Sequence, residues 1–154
     1  MAQLEVGAEA PGFALADRNG ETVRLSDLAG KRVLVYFYPK ADTPGCTTQA
    51  VGLQEVLGRL GDTEVVGISP DPPERLARFA EKHSLSFHLL SDPDHAVAEA
   101  YGVWVERSMY GKRYMGIQRS AFLVGAGGRL EQAWYKVSPK DTAAKLLRAV
   151  APNA

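Results

Sequence analysis

Apolar residues along this chain fall in short runs that alternate between continuous and helical spacing. Residues 33–38 (VLVYFY) form an unbroken apolar and aromatic run, the mark of a strand covered on both faces. Pro39 ends it, because proline has no N–H to give to a sheet ladder. Leu53, Val56, Leu57 and Leu60 then recur at i, i+3, i+4 and i+7, which predicts a helix packing one face on that strand. Residues 64–69 read as a second strand. Asp71-Pro72 reads as the cap of a helix whose stripe is Leu76, Phe79, Ala80 and His83. A short strand over 87–90 precedes a helix carrying Val97 and Tyr101, which Gly102 closes. Hairpins are predicted near both ends, 13–16 with 22–25 about Asn19-Gly20, and 121–124 with 130–135 about Gly127-Gly128. Ser138-Pro139-Lys140-Asp141 starts a last helix. Residues 103–118 show no clear period and read as a functional or covering loop.

Strands alternating with helices predict an α/β fold with a mixed central sheet. There is no internal repeat, and 154 residues suit one domain spanning 1–154, large enough to bury well over half of its unfolded surface. Eighteen basic and eighteen acidic residues give zero formal net charge, so no global field steers the chain to nucleic acid or an anionic membrane. The first residues, MAQLE, lack the basic and apolar regions of a signal peptide, and no run approaches a membrane span. A cytoplasmic protein is expected.

Cys46, the single cysteine, changes this picture. It excludes an internal disulfide, suits a reducing compartment and is a candidate nucleophile. In the run 38–48 (YPKADTPGCTT), Thr43 reads as the helix N-cap accepting from an early N–H, Pro44 as the first helical residue and Cys46 as the third. The sulfur then lies in the first turn, where unpaired N–H groups and the positive end of the helix dipole favour thiolate over thiol.

Pro39-x-x-x-Thr43-x-x-Cys46 matches the active-site motif of peroxiredoxins. GAEAPGF at 7–13 resembles their N-terminal segment, and VLVYFYPKADTPGCTTQ at 33–49 is similar to the Q-type, or bacterioferritin-comigratory, branch. VGIS at 66–69, LLSD at 89–92, YGVW at 101–104 and GIQRS at 116–120 follow in that branch's order. The resemblance covers nearly the whole chain. It implies a thioredoxin-like three-layer sandwich with a mixed central sheet and an added N-terminal β-hairpin, and it implies a thiol-dependent peroxidase. The site would comprise Cys46 as nucleophile, Thr43 and Arg119 as donors to thiolate and peroxide, and Pro39 as a shield against water. No cofactor or metal is implied. Gln49 would orient the loops near Arg119, with a solvated-face role as its rival.

Many Q-type relatives carry a resolving cysteine five residues after the peroxidatic one, and here that position is Val51. The expected cycle therefore runs through a Cys46 sulfenic acid reduced by an external thiol, either thioredoxin, glutaredoxin or a low-molecular-weight thiol, or by Cys46 of a second molecule. Hydrogen peroxide and small organic hydroperoxides are the expected substrates, and a monomer or weak dimer the expected state.

Two other classes compete. A peroxide sensor or redox-relay protein would use the same thiol to oxidise a partner. A cysteine hydrolase would need a histidine base beside Cys46, but His83, His88 and His95 read as structural or surface residues without metal-ligand spacing. Gly125 to Gly128 reads as a hairpin rather than a dinucleotide loop, and the basic aromatic stretch 110–114 as a solvated loop.

Overall fold

The computed structural model describes residues 3–150, so Met1 and Ala2 of the N-terminal segment read above lie outside the described residues. The chain runs β1 (Ala14–Asp17), β2 (Thr22–Arg24), β3 (Val33–Phe37), α1 (Pro44–Val56), β4 (Glu64–Ser69), α2 (Pro73–His83) and β5 (His88–Ser91). It continues through α3 (Ala96–Ala100), β6 (Trp104–Met109), β7 (Lys112–Ile117), β8 (Ser120–Val124), β9 (Leu130–Trp134) and α4 (Thr142–Val150). Seven strands form one mixed sheet in the order β2-β1-β5-β4-β3-β8-β9. Strand β3 pairs parallel with β4 and antiparallel with β8, so all five of its residues are buried, as its apolar run requires.

Alternation along β3 divides the core in two. Leu34, Tyr36 and Tyr38 point into the layer with Cys46 and Leu53 of α1, Leu76 and Phe79 of α2, and Leu146 of α4. Val33, Val35 and Phe37 face the opposite layer, with Phe13, Val97 of α3, Tyr101 and Phe122. This is the three-layer arrangement expected from the sequence, and the β1–β2 hairpin joins the sheet edge through β5. Gly67 on β4 stands opposite Tyr36 in the ladder, and a Cβ there would come within 2.8 Å of the Tyr36 ring. The large ring lies across β4 only because that position is glycine.

Four local expectations are corrected. Residues 103–118 are not an irregular loop: most of them form the β6–β7 hairpin, turned by Tyr110 and Gly111 at φ 53° and 79°. Most of its residues face solvent, so no buried face impressed a period-two pattern on it. The stripe ending at Leu60 is not one helix, since α1 stops at Val56 and Leu57–Arg59 forms a 3-10 turn. Pro72, not Asp71, is the N-cap of α2. The last helix begins at Thr142, after a 3-10 turn over Pro139–Asp141.

Candidate active site

Thr43 holds extended backbone (φ −94°, ψ 157°) at the N-cap of α1, Pro44 follows, and Cys46 is the third helical residue. The Thr43 carbonyl accepts from Thr47 N–H at 2.8 Å, closing the first turn. Its hydroxyl departs from expectation. It makes no capping bond to the helix and instead donates to the Lys40 carbonyl at 2.7 Å. The Lys40 carbonyl, three residues back, competes with the helix amides for the hydroxyl and takes it.

The preceding loop is fixed from two sides. Asp71, buried, accepts from Ala41 N–H at 2.7 Å and from the Ser69 hydroxyl at 2.8 Å, which is why it does not cap α2. Asp42 takes a left-handed conformation (φ 61°), which Asp tolerates, and meets Lys82 at 3.0 Å and His83 at 3.2 Å. Hydrogen bonds from His83 and then Lys82 hold the Asp42 carboxyl below its ordinary value.

Cys46 is 1% exposed, and Arg119 Nη2 donates to its Sγ at 3.4 Å. Arg119 immediately precedes β8, the strand antiparallel to β3, and so comes to the site from the neighbouring strand across 73 residues of sequence. Its other arm, Nη1, donates to Gln49 Oε1 at 2.8 Å. The Gln49 amide in turn donates to the Thr142 hydroxyl at 2.9 Å, and that hydroxyl donates to the Ser138 carbonyl at 2.9 Å. Gln49 and Thr142 are fully buried, so the solvated reading of Gln49 is wrong. A helix residue three positions after the cysteine shares its face, and from there a buried amide can take one arm of a guanidinium whose other arm is on sulfur.

Tyr36 and Tyr38 complete the buried side. Burial pushes both phenols well up, which keeps them neutral and the layer beneath the thiol free of further charge. Pro39 lines a groove of about 430 Å³ with Arg107, Ile117, Arg119, Lys136 and Val137. One of its lining residues, Arg119, is the one that contacts Sγ.

His83 pairs with Asp42, His88 with Glu64 at 3.2 Å and His95 with Glu99 at 2.9 Å. Among the described residues no histidine hydrogen-bonds Cys46, which counts against a cysteine hydrolase. Sequence reasoning named Gly45 within the motif and as a helix-weakening residue but not as a spacer, and it did not single out Arg107 or Lys136, which line the groove. Only at Gly45 was there a signal, a small residue in the first helical turn.

Residues 6–133 match the AhpC/TSA family model. Peroxiredoxin Bcp of Escherichia coli K12 is 54% identical over 136 residues, 87% of each chain. Peroxiredoxin Bcp of Bacillus subtilis is 47% identical over 148 residues, 94% of each. Among solved structures, a cysteine-to-serine mutant of Xylella fastidiosa PrxQ superimposes with a TM-score of 0.91 at 28% identity, covering 98% of both chains. The bacterioferritin comigratory protein of Xanthomonas campestris, studied for alkyl peroxide reduction, gives a TM-score of 0.88 at 33% identity, covering 96% of this chain and 98% of that one. With one cysteine, Val51 at the position five residues beyond it, and these relatives along most of its length, the chain belongs to the AhpC/TSA family of peroxiredoxins, in the Bcp/PrxQ branch and without a resolving cysteine.

Proposed function

We propose that the protein is a thiol-dependent peroxidase with a one-cysteine cycle, acting on hydrogen peroxide and small organic hydroperoxides. The observation that supports it best is the Arg119 guanidinium, with one arm on Cys46 Sγ at 3.4 Å and the other anchored on buried Gln49. In the reaction the thiolate attacks one peroxide oxygen, the O–O bond breaks, and the other oxygen leaves as hydroxide or alkoxide and takes up a proton. Negative charge spreads along S, O and O in the transition state, and a fixed guanidinium stabilises it without reorganising. Arg119 binds the peroxide oxygens, and Pro39 keeps water from the sulfur.

Thr43 takes a role of opposite polarity to the one expected from sequence. Its proton is committed to the Lys40 carbonyl, which leaves the hydroxyl oxygen with lone pairs to accept the O–H of an incoming hydroperoxide. The substrate is then held by one donor and one acceptor.

The product is a Cys46 sulfenic acid that an external thiol reduces. A reactive thiol kept as such suits a reducing cytoplasm, and no helix among the described residues is long and apolar enough to cross a membrane. The test is peroxide consumption by the purified protein with a thiol reductant, run beside Cys46→Ser and with a sulfenic-acid probe read by mass spectrometry. Turnover and a trappable adduct on Cys46 are expected from the native protein alone. Thiol-dependent turnover that survives in Cys46→Ser would overturn the assignment.

A further inference from the structure

We propose that the groove beside Arg119 binds the carboxylate of a small anionic thiol, which reduces the Cys46 sulfenic acid, and that Lys136 and Arg107 are the groups that hold it. This rests on the peroxidase reading above. Access is the first argument. Cys46 is 1% exposed and does not itself line the groove, but Arg119, which does, donates to its Sγ at 3.4 Å, so the groove is an opening one side chain away from the sulfur. About 430 Å³ is the size of a small-molecule pocket.

Charge is the second argument. Arg107, Arg119 and Lys136 line the groove against one acid, Glu106, which itself pairs with Arg113 at 3.6 Å. Arg119 already bonds Cys46 and Gln49 and serves the peroxide in the reading above. Arg107 donates to the Ile117 carbonyl at 2.7 Å, and neither it nor Lys136 has a carboxylate partner among the described residues. In a chain of zero net charge this is a local excess of unpaired cations. A thiol bearing carboxylates, such as a small acidic peptide thiol, supplies the missing partners.

The backbone supplies the third argument. Lys136 has φ 58°, an unusual conformation for a long side chain, and the next residue's N–H, that of Val137, donates to the Arg119 carbonyl at 3.0 Å. The strained residue is thus tied directly to the segment that presents Arg119.

In the step itself the thiolate of the bound thiol attacks the Cys46 sulfur. An S–S bond forms, the S–O bond breaks, and the hydroxide leaves as water with one proton. A second thiolate attacks the ligand's sulfur in the mixed disulfide, releasing a small-molecule disulfide and the Cys46 thiolate. Two thiols are oxidised for each sulfenic acid reduced.

The test oxidises the protein with one equivalent of hydrogen peroxide and then mixes it rapidly with mercaptopropionate, mercaptoethanol, cysteamine or reduced thioredoxin. Each small-thiol rate is corrected for its thiolate fraction, and Lys136→Gln and Arg107→Gln are run alongside. Mercaptopropionate is expected to react about tenfold faster than mercaptoethanol, with cysteamine slowest. That excess should shrink at high salt and in both variants, while the peroxide step keeps its rate. Small-thiol rates that follow thiolate fraction alone, an excess that persists in both variants, or reduction by thioredoxin only would each overturn the inference. Sulfenic acid that forms normally without a charge preference leaves the peroxidase reading standing, whereas failure to form sulfenic acid overturns both.

Discussion

Gly45 leaves room for the guanidinium of Arg119: a Cβ at this position would stand 3.2 Å from Nη2 and 3.4 Å from Pro139 Cγ. The helix start and the arginine are therefore packed to contact, with glycine as the spacer. Gly45→Ala should pull stability and activity apart. Alanine is a better helix former than glycine, by up to about 1 kcal/mol in a helix interior, so the thermal midpoint should hold or rise. The guanidinium must shift by a few tenths of an ångström, and the peroxide step should slow. Stopped-flow kinetics beside thermal melts would decide, and an unchanged rate would show that Arg119 tolerates the displacement.

Arg119→Ala removes the cation that faces the sulfur. The peroxide step should then slow, read by stopped-flow kinetics, because the charge that develops along S, O and O loses its fixed donor, and an unchanged rate would remove Arg119 from the site. Gln49→Met keeps the volume and removes the amide that anchors the other arm. It leaves the Thr142 hydroxyl without a donor and costs about 1–3 kcal/mol of stability. Combined with Arg119→Ala, Gln49→Met should slow the peroxide step little further, since its kinetic effect acts through the arginine. Fully additive losses would mean that Gln49 affects the rate by another route.

How far these relations were legible depends on what each residue faces. The 33–38 run announced β3 because both faces of that strand are buried, so its sequence carries the burial directly. The β6–β7 hairpin has eight of its twelve strand residues exposed, so Arg107, Arg113 and Tyr114 spelled out no alternation. Cys46 in a first helical turn followed from Thr43-Pro44, because N-cap and N1 preferences are local. The direction of the Thr43 hydroxyl did not, because the competing acceptor, the Lys40 carbonyl, is set by the path of the loop. Arg119 and Gln49 meet only through the β3–β8 pairing and the packing of α1 on the sheet. No local pattern encodes that, and resemblance alone pointed to Arg119.

Asp42 gives the loop before α1 a pH dependence. Its carboxyl titrates below its ordinary value because His83 and Lys82 bond the ionised form. A depressed carboxyl contributes stability that is present above its unfolded value, about 3.9, and is lost as pH falls through the folded value. Asp42→Asn keeps a residue suited to φ 61° and removes the charge. Urea midpoints should show the variant less stable than the native protein at pH 6, with the gap narrowing below about pH 4. A gap that stays constant across this window would detach Asp42 from the acid response.

Val51→Cys restores a thiol at the position where many Q-type relatives carry one, and the structure argues that it stays apart from Cys46. Helix α1 runs unbroken from Pro44 to Val56 through both positions. Five residues on a helix give a rise of about 7.5 Å and a turn of about 140°, so the Cα atoms stand roughly 8 to 9 Å apart. A disulfide needs less than about 7 Å. Cys46 faces the core, whereas Val51 lines a separate cavity with Thr48, Glu55 and Ala143. Bringing the sulfurs together means unwinding the turn that holds Gln49, whose amide bridges Arg119 and Thr142 in a fully buried setting. That network acts as a lock on the first turns of α1. After one equivalent of peroxide, the variant should form its internal disulfide slowly or incompletely, followed as free thiol against circular dichroism, and adding Gln49→Ala should speed the reaction. Rapid, quantitative disulfide formation with loss of helix signal in Val51→Cys alone would show that the helix unwinds freely despite the Gln49 lock.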